Sequence, residues 1–329
     1  MTPPAELVLL IGAPRSGTTW LQQMLGAHPL VATPQETDLF SRFLQPLLDS
    51  WERETRGGQA GIEQRRFKGM HSVLTASEFA ATGTDLVSRV VANASALKPG
   101  SEVVVEKTPS HSLCASSISL FAPNAKIIHL IRDGRDVASS LVASGNSWGG
   151  WWAPKTVTRA SEVWSEHTRG ASAAAGSDNY LEVRYEDIQS DGASTLERVF
   201  AHIGIAATIQ DCEGILKAFA LDKMTQGESS IVIGGEFAAA ASQRSEPVGF
   251  FGKGGSGSWR TTWGKAELLA FNDTAGDLLV ELGYEESSAW AGTPSQIASF
   301  RRKTQRSQRL YQRTERFSSA MDRLIRKHP

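Results

Sequence analysis

An apolar run, Leu7–Val8–Leu9–Leu10–Ile11, leads straight into Gly12–Ala13–Pro14–Arg15–Ser16–Gly17–Thr18–Thr19–Trp20. Leu21, Met24, Leu25 and His28 then recur at helical spacing. This succession predicts a buried strand, a tight loop and a helix over 18–28. Gly12 and Gly17 let the backbone fold closely around an anion. The amides and the positive dipole end of the new helix then point at that anion. Arg15, Ser16, Thr18 and Thr19 add a charge and three hydroxyls, so the stretch is built to hold a phosphate. Its glycine spacing fits the start of the nucleoside-triphosphatase loop, which needs Lys directly after the second glycine. Thr18 stands there, and the basic residue lies inside the loop at Arg15. ATPase or kinase chemistry is weakened accordingly.

The strand-loop-helix pattern recurs. Val103–Val104–Val105 ends at Glu106–Lys107–Thr108–Pro109 and is followed by a predicted helix from Ser110 to Phe121. Lys126–Ile131 runs into Arg132–Asp133–Gly134–Arg135–Asp136 and a helix carrying Val137, Ala138, Leu141 and Val142. Tyr180–Arg184 is a further strand, ending at Tyr185–Glu186–Asp187. Helices are also expected over 38–50, 77–97, 156–175, 193–203, 209–220 and 264–282, with 225–262 a long Gly- and Ser-rich loop. Strands alternating with helices imply parallel βαβ units, with ligands at the carboxyl ends of the strands. Gly12–Trp20, Lys107 and Arg132 all fall at such ends.

A net charge of −1 gives no general attraction to nucleic acid or to a membrane surface. Cys114 and Cys212 fit neither a metal nor a disulfide spacing, and a cytoplasmic, reducing setting is the expectation. The run Leu7–Ile11 is too short for a signal-peptide core or a membrane span. The expected organisation is one α/β domain over residues 1–292 and a basic helical tail over 293–329. The tail carries Arg301, Arg302, Lys303, Arg306, Arg309, Arg313, Arg316, Arg323, Arg326 and Lys327 against Glu315 and Asp322. An apolar stripe of Phe300, Leu310, Phe317, Met321 and Leu324 makes it a candidate for homo-oligomer contacts, for an acidic or membrane surface, or for packing on its own domain.

The first loop resembles the 5′-phosphosulfate loop of sulfotransferases that use 3′-phosphoadenosine 5′-phosphosulfate (PAPS), which reads Pro-Lys/Arg-Ser-Gly-Thr-Thr-Trp. The resemblance implies a three-layer P-loop nucleotide-binding fold with a central parallel sheet. It implies PAPS as co-substrate, no metal, and sulfuryl transfer to an acceptor hydroxyl on a small molecule, lipid or carbohydrate. Pro14, Arg15, Ser16, Gly17, Thr18 and Thr19 would hold the 5′-phosphosulfate, and Trp20 matches the residue that stacks on adenine. Arg132-Asp-Gly-Arg-Asp-Val-Ala-Ser-Ser140 looks like the family's 3′-phosphate motif, with Arg132 and Ser140 as the contacts. A guanidinium fork beside a hydroxyl on the next helix suits a dianionic phosphate. Tyr185 matches an adenine contact.

Gly252-Lys-Gly-Gly-Ser-Gly-Ser-Trp-Arg260 is similar to the third family motif, with Lys253 and Gly254 matching the pair that closes over the 3′-phosphate. Gly252 stands where the family has Arg, and Ser258 where it has Asp. Lys107 matches a lysine near the transferred group. The cytosolic branch follows that lysine with Thr-His, where the His is the base; here Lys107–Thr108–Pro109 removes it. Tyrosylprotein sulfotransferases also have Pro there, and their Ala-His-Pro and Glu-Thr elements look like Ala27–His28–Pro29 and Glu36–Thr37. The expected catalytic set is therefore Glu36 as base with Lys107 and Arg15, His111 being the other candidate base. A helix-capping role for Glu36 is the competing reading. A phosphotransferase of the same fold and a non-catalytic PAPS-binding protein are the functional alternatives. Trp148, Trp151 and Trp152 are candidate walls of an acceptor site.

Overall fold

The computed structural model describes residues 5–55, 69–220 and 255–306. Five parallel strands form one sheet in the order β2-β3-β1-β4-β5. They are β1 (Glu6–Ile11), β2 (Val31–Ala32), β3 (Val103–Lys107), β4 (Lys126–Ile131) and β5 (Tyr180–Arg184). The first strand is central. Glu6 pairs with Val103 on one side, and Val8 with Lys126 on the other.

The strand residues alternate between two apolar layers. Val8, Leu10, Val105, Ile128 and Leu130 pack against α1 (Thr18–Gly26), α8 (Gly192–Ile203) and α9 (Ile209–Ala218). Leu9, Ile11, Val104 and Ile127 face α2 (Gln45–Thr55), α3 (Ala76–Ala96) and α4 (Ala115–Phe121). Both faces are covered, so the strands read as continuous apolar runs. Each such buried side chain contributes about 1.5–3 kcal/mol, against ~0–1 for an exposed ion pair, so these layers decide the fold. A third cluster joins Ala13 to α5 (Gly134–Gly145), α6 (Val157–Ser172) and α11 (Lys265–Glu281). The short helices α7 (Tyr185–Ser190) and α10 (Trp259–Thr262) complete the site side.

Two predicted helices are built differently. Residues 38–50 begin as a π-helical turn, Leu39–Leu44, before α2. Residues 110–121 split into a 3₁₀ turn, Pro109–Leu113, and α4. At the first of these, side chains of Glu106, Thr108 and His111 accept from the backbone amides that open the π-helical turn. Of the expected 225–262 loop only 255–262 is described, and there the chain forms a turn and α10 rather than a loop alone. The tail is helical from 294 to 306 (α12), and Arg301 Nε donates to Asp273 on α11 at 3.0 Å. The rest of the tail lies outside the described residues. Lys98, after α3, donates to three carbonyls at the end of α1 and the start of β2: Gly26, His28 and Val31. Among the described residues no helix is long and apolar enough to cross a membrane.

Two buried histidines tie stability to pH. His129 in β4 lies 2.6 Å from the Tyr180 hydroxyl, and burial pushes its pKa down to about 3. His167 in α6 lies 2.7 Å from Ser112 Oγ, and burial pushes it down to about 4. Both ordinary values are 6.5, so the unfolded chain takes up these protons first. The contribution is present above pH 6.5 and is lost as pH falls toward 4. At pH 5 each site is expected to cost roughly 2 kcal/mol. Urea midpoints at pH 7.5 and 5.0 measure this, and an unchanged midpoint contradicts it.

Candidate active site

The loop between β1 and α1 takes the conformation its glycines predict. Gly12 has φ 152° and Gly17 φ 100°, and Arg15 itself is left-handed at φ 75°. Gly17 is the N-cap of α1, and no side chain caps that end. A Cβ at Gly12 would lie 2.5 Å from the Leu130 carbonyl oxygen, and one at Gly17 would lie 2.6 Å from the Tyr185 ring. Ser16 is buried, and its hydroxyl has no partner among the described residues. A buried hydroxyl without a partner, beside uncapped amides, is costly unless an anion receives it.

Residues far apart in sequence converge on this loop. Arg15 Nε donates to Ser140 Oγ at 3.1 Å, and the Arg15 guanidinium stands 5.4 Å from the centre of the Trp148 ring. Arg132, at the end of β4, donates to the Arg15 carbonyl at 3.4 Å and to the Gly255 carbonyl at 3.2 Å. Its guanidinium sits 4.2 Å above the Tyr185 ring, and its buried Nε has no partner among the described residues. Trp20 and Tyr185 are both core residues, with ring centres 5.5 Å apart, and Trp20 Nε1 donates to the Phe219 carbonyl. They form the floor beneath Arg132 and the loop.

On the other side of β1, Lys107 stands in register with Leu10 at the carboxyl edge of the sheet. Its buried ammonium donates to Glu36, whose side chain is half exposed. Glu36 does not cap the following helix, which starts at a left-handed Asp38 with no side-chain cap. Its neighbour Glu106 holds that segment instead. Oε1 of Glu106 accepts from Thr37 N at 3.0 Å, from Thr37 Oγ1 at 2.7 Å and from Thr108 Oγ1 at 2.7 Å. Oε2 lies 2.9 Å from His111 Nδ1, an ionic contact poorly aligned for a hydrogen bond. Burial would raise the Glu106 pKa, but His111, Thr108 and Thr37 together hold it below the ordinary carboxylate value. His111 is fully buried, and its Nε2 accepts the Phe40 amide at 3.1 Å. The ring proton therefore sits on Nδ1, and neither nitrogen faces solvent.

The structure brings Arg15, Ser16, Gly17, Ser140, Arg132, Tyr185 and Trp20 together, and it pairs Lys107 with Glu36. Lys253 and Gly254 lie outside the described residues. Of the third motif, Gly257 N and Ser258 Oγ donate to the buried Asp136 at 2.7 and 2.8 Å. That anchors the start of α10 to α5. Trp148 and Trp152 pack with centres 5.8 Å apart, whereas Trp151 is 85% exposed. The sequence reading missed Glu106, Thr108 and Asp136. The available signal was a carboxylate directly after the apolar run Val103–Val105.

Residues 8–209 match the sequence model of the "Sulfotransferase family". The nodulation protein NoeE of Sinorhizobium fredii is 25% identical over 338 residues, covering 95% of this chain and 74% of that protein. The protein-tyrosine sulfotransferase of Drosophila melanogaster is 33% identical over 141 residues, which span 42% of this chain and 25% of the fly protein. Among solved structures, the mouse sulfotransferase SULT7A1 in complex with PAP has a TM-score of 0.54 at 15% identity. That likeness covers 83% of this chain and 84% of the mouse chain.

Proposed function

Since this chain belongs to the sulfotransferase family, we propose that it transfers the sulfuryl group of PAPS to a hydroxyl of an acceptor. The observation that carries this reading is the joint placement of Arg15, Ser140 and Arg132 around a left-handed loop, with Ser16 Oγ and Arg132 Nε unpartnered among the described residues. A nucleotide with phosphates at both its 5′ and 3′ ends would use these groups as two anion contacts. Ser16, Gly17, Thr18 and Thr19 would hold the 5′ end with Arg15, while Arg132 and Ser140 would hold the 3′-phosphate. Tyr185 and Trp20 would lie under the base.

When bound, PAPS supplies the sulfuryl group and a phosphate leaving group. Glu36 takes the acceptor proton. Lys107 and Arg15 are the cations that meet negative charge growing on the leaving oxygen, the electrostatic contribution to rate. Pro109 cannot take a proton, and His111 has both ring nitrogens engaged in the interior, which supports Glu36 as the base. Trp148 beside Arg15, with Trp152 packed on Trp148, would line the approach of an acceptor hydroxyl.

Calorimetry with adenosine 3′,5′-bisphosphate and with ATP tests the assignment. The bisphosphate is expected to bind far more tightly, and equal affinity for the two contradicts the reading. Arg132→Ala removes a charge-assisted contact and is expected to weaken bisphosphate binding by about 1.5–3 kcal/mol, roughly 10- to 150-fold.

A further inference from the structure

The backbone that follows Glu36 is held almost entirely by side chains from one short stretch. Thr37 N donates to Glu106, Asp38 N to Thr108 Oγ1 at 3.4 Å, and Phe40 N to His111 Nε2. Leu39 N donates to Thr37 Oγ1 at 3.2 Å, and that hydroxyl in turn donates to Glu106. These are the amides at the start of a helical element, which have no intrahelical acceptors. Glu106, Thr108 and His111 supply the acceptors at alternating and following positions around Lys107, the partner of Glu36. One strand end thus holds both the Glu36 carboxylate and the backbone that carries it.

We infer that Glu106 is a positioning residue that, with Thr108 and His111, fixes the segment Thr37–Phe40 and thereby aims Glu36 at the acceptor. The inference rests on the reading of Glu36 as the base. An ionised carboxylate accepts only, and Glu106 faces two Thr hydroxyls, an amide and the His111 Nδ1 proton. This burial is tolerated because three hydrogen bonds reach Oε1 and the His111 ring stands 2.9 Å from Oε2. Glutamine cannot replace it. If its NH₂ meets His111, two donors oppose each other, and the ring must move its proton to Nε2, which then no longer accepts Phe40 N. If its NH₂ meets Thr37 and Thr108, three donors lose their acceptor.

The test uses the full chain with Glu106→Gln, Glu36→Gln and the double variant. Amide hydrogen exchange of the unliganded protein reads the segment directly. Exchange over 36–40 is expected to rise about ten-fold or more, while β4 is unchanged, and the ¹⁵N signals of His111 are expected to shift from an Nδ1–H to an Nε2–H ring. Turnover is read as release of adenosine 3′,5′-bisphosphate from PAPS with 2-naphthol as probe acceptor. Glu106→Gln is expected to lower kcat about 10- to 100-fold with unchanged bisphosphate affinity. In the Glu36→Gln background it is expected to add less than about three-fold, because both act through one group. Should Glu106→Gln fail to fold, Thr108→Val carries the same tests with a smaller expected loss of about five-fold. Unchanged exchange over 36–40, or a fully additive loss in the double variant, overturns the positioning role. Normal turnover in Glu36→Gln alone overturns the base assignment, while the exchange data still decide whether Glu106 fixes the segment.

Discussion

Glu36→Gln is expected to lower turnover by about 10²–10⁴-fold and to leave the affinity for adenosine 3′,5′-bisphosphate nearly unchanged. The substitution keeps the side chain's shape and removes the oxygen that accepts a proton. Glu36 is half exposed, so its amide costs the fold little. Its contact with Lys107 persists in weakened form through the amide oxygen. The nucleotide contacts proposed for Arg15, Arg132 and Ser140 lie on other elements, so binding and turnover separate. Measurement of kcat alongside a calorimetric dissociation constant checks this. Near-normal turnover in Glu36→Gln contradicts the assignment.

Lys107→Met is expected to lower kcat by about 10²–10³-fold, the scale for losing one preorganised charge or donor at a developing anion. Methionine fills the buried stem of the side chain, so the loss reports charge and not a cavity. Glu36 becomes unpaired but stays hydrated at the surface, which keeps the destabilisation small. Lys107→Arg restores the charge and is expected to recover part of the rate. The sign that separates the two roles is the response to the acidity of the acceptor. An acceptor series with PAPS would show Lys107→Met uniformly slow, whereas Glu36→Gln would be least impaired with the most acidic phenols. A Lys107→Met protein with full turnover contradicts the role given to the ammonium.

Much of this organisation was legible in the chain itself because local and global signals agree. Leu7–Ile11, Val103–Val105, Lys126–Ile131 and Tyr180–Arg184 are short apolar runs each closed by a loop, and all four are parallel strands. The loop Gly12–Trp20 announced its backbone through its glycines, and Gly12 and Gly17 do adopt positive φ. Arg15 in the left-handed region was not legible, since nothing in an arginine favours it. Nor was the π-helical turn Leu39–Leu44, because its cause lies about seventy residues further on, in Glu106, Thr108 and His111. Trp20 and Tyr185 match nucleotide contacts by position and are also core residues in the described structure. Pattern alone cannot tell an aromatic that stacks on a ligand from one that supports the residue doing so.

The sheet has its first strand at the centre, with Glu6 opposite Val103 and Val8 opposite Lys126. A strand with no neighbour close in sequence gains nothing until distant segments arrive, so loop closure comes before reward. During synthesis the loop Gly12–Trp20 emerges well before the residues that contribute its walls. Tyr185 fills the space beside Gly17, and Arg132 braces the Arg15 carbonyl, only after β4 and β5 have been made. Until then β1 is an apolar strand without a sheet to join. The interval before β3 and β4 are released is when this chain is most exposed to wrong pairing and to chaperones.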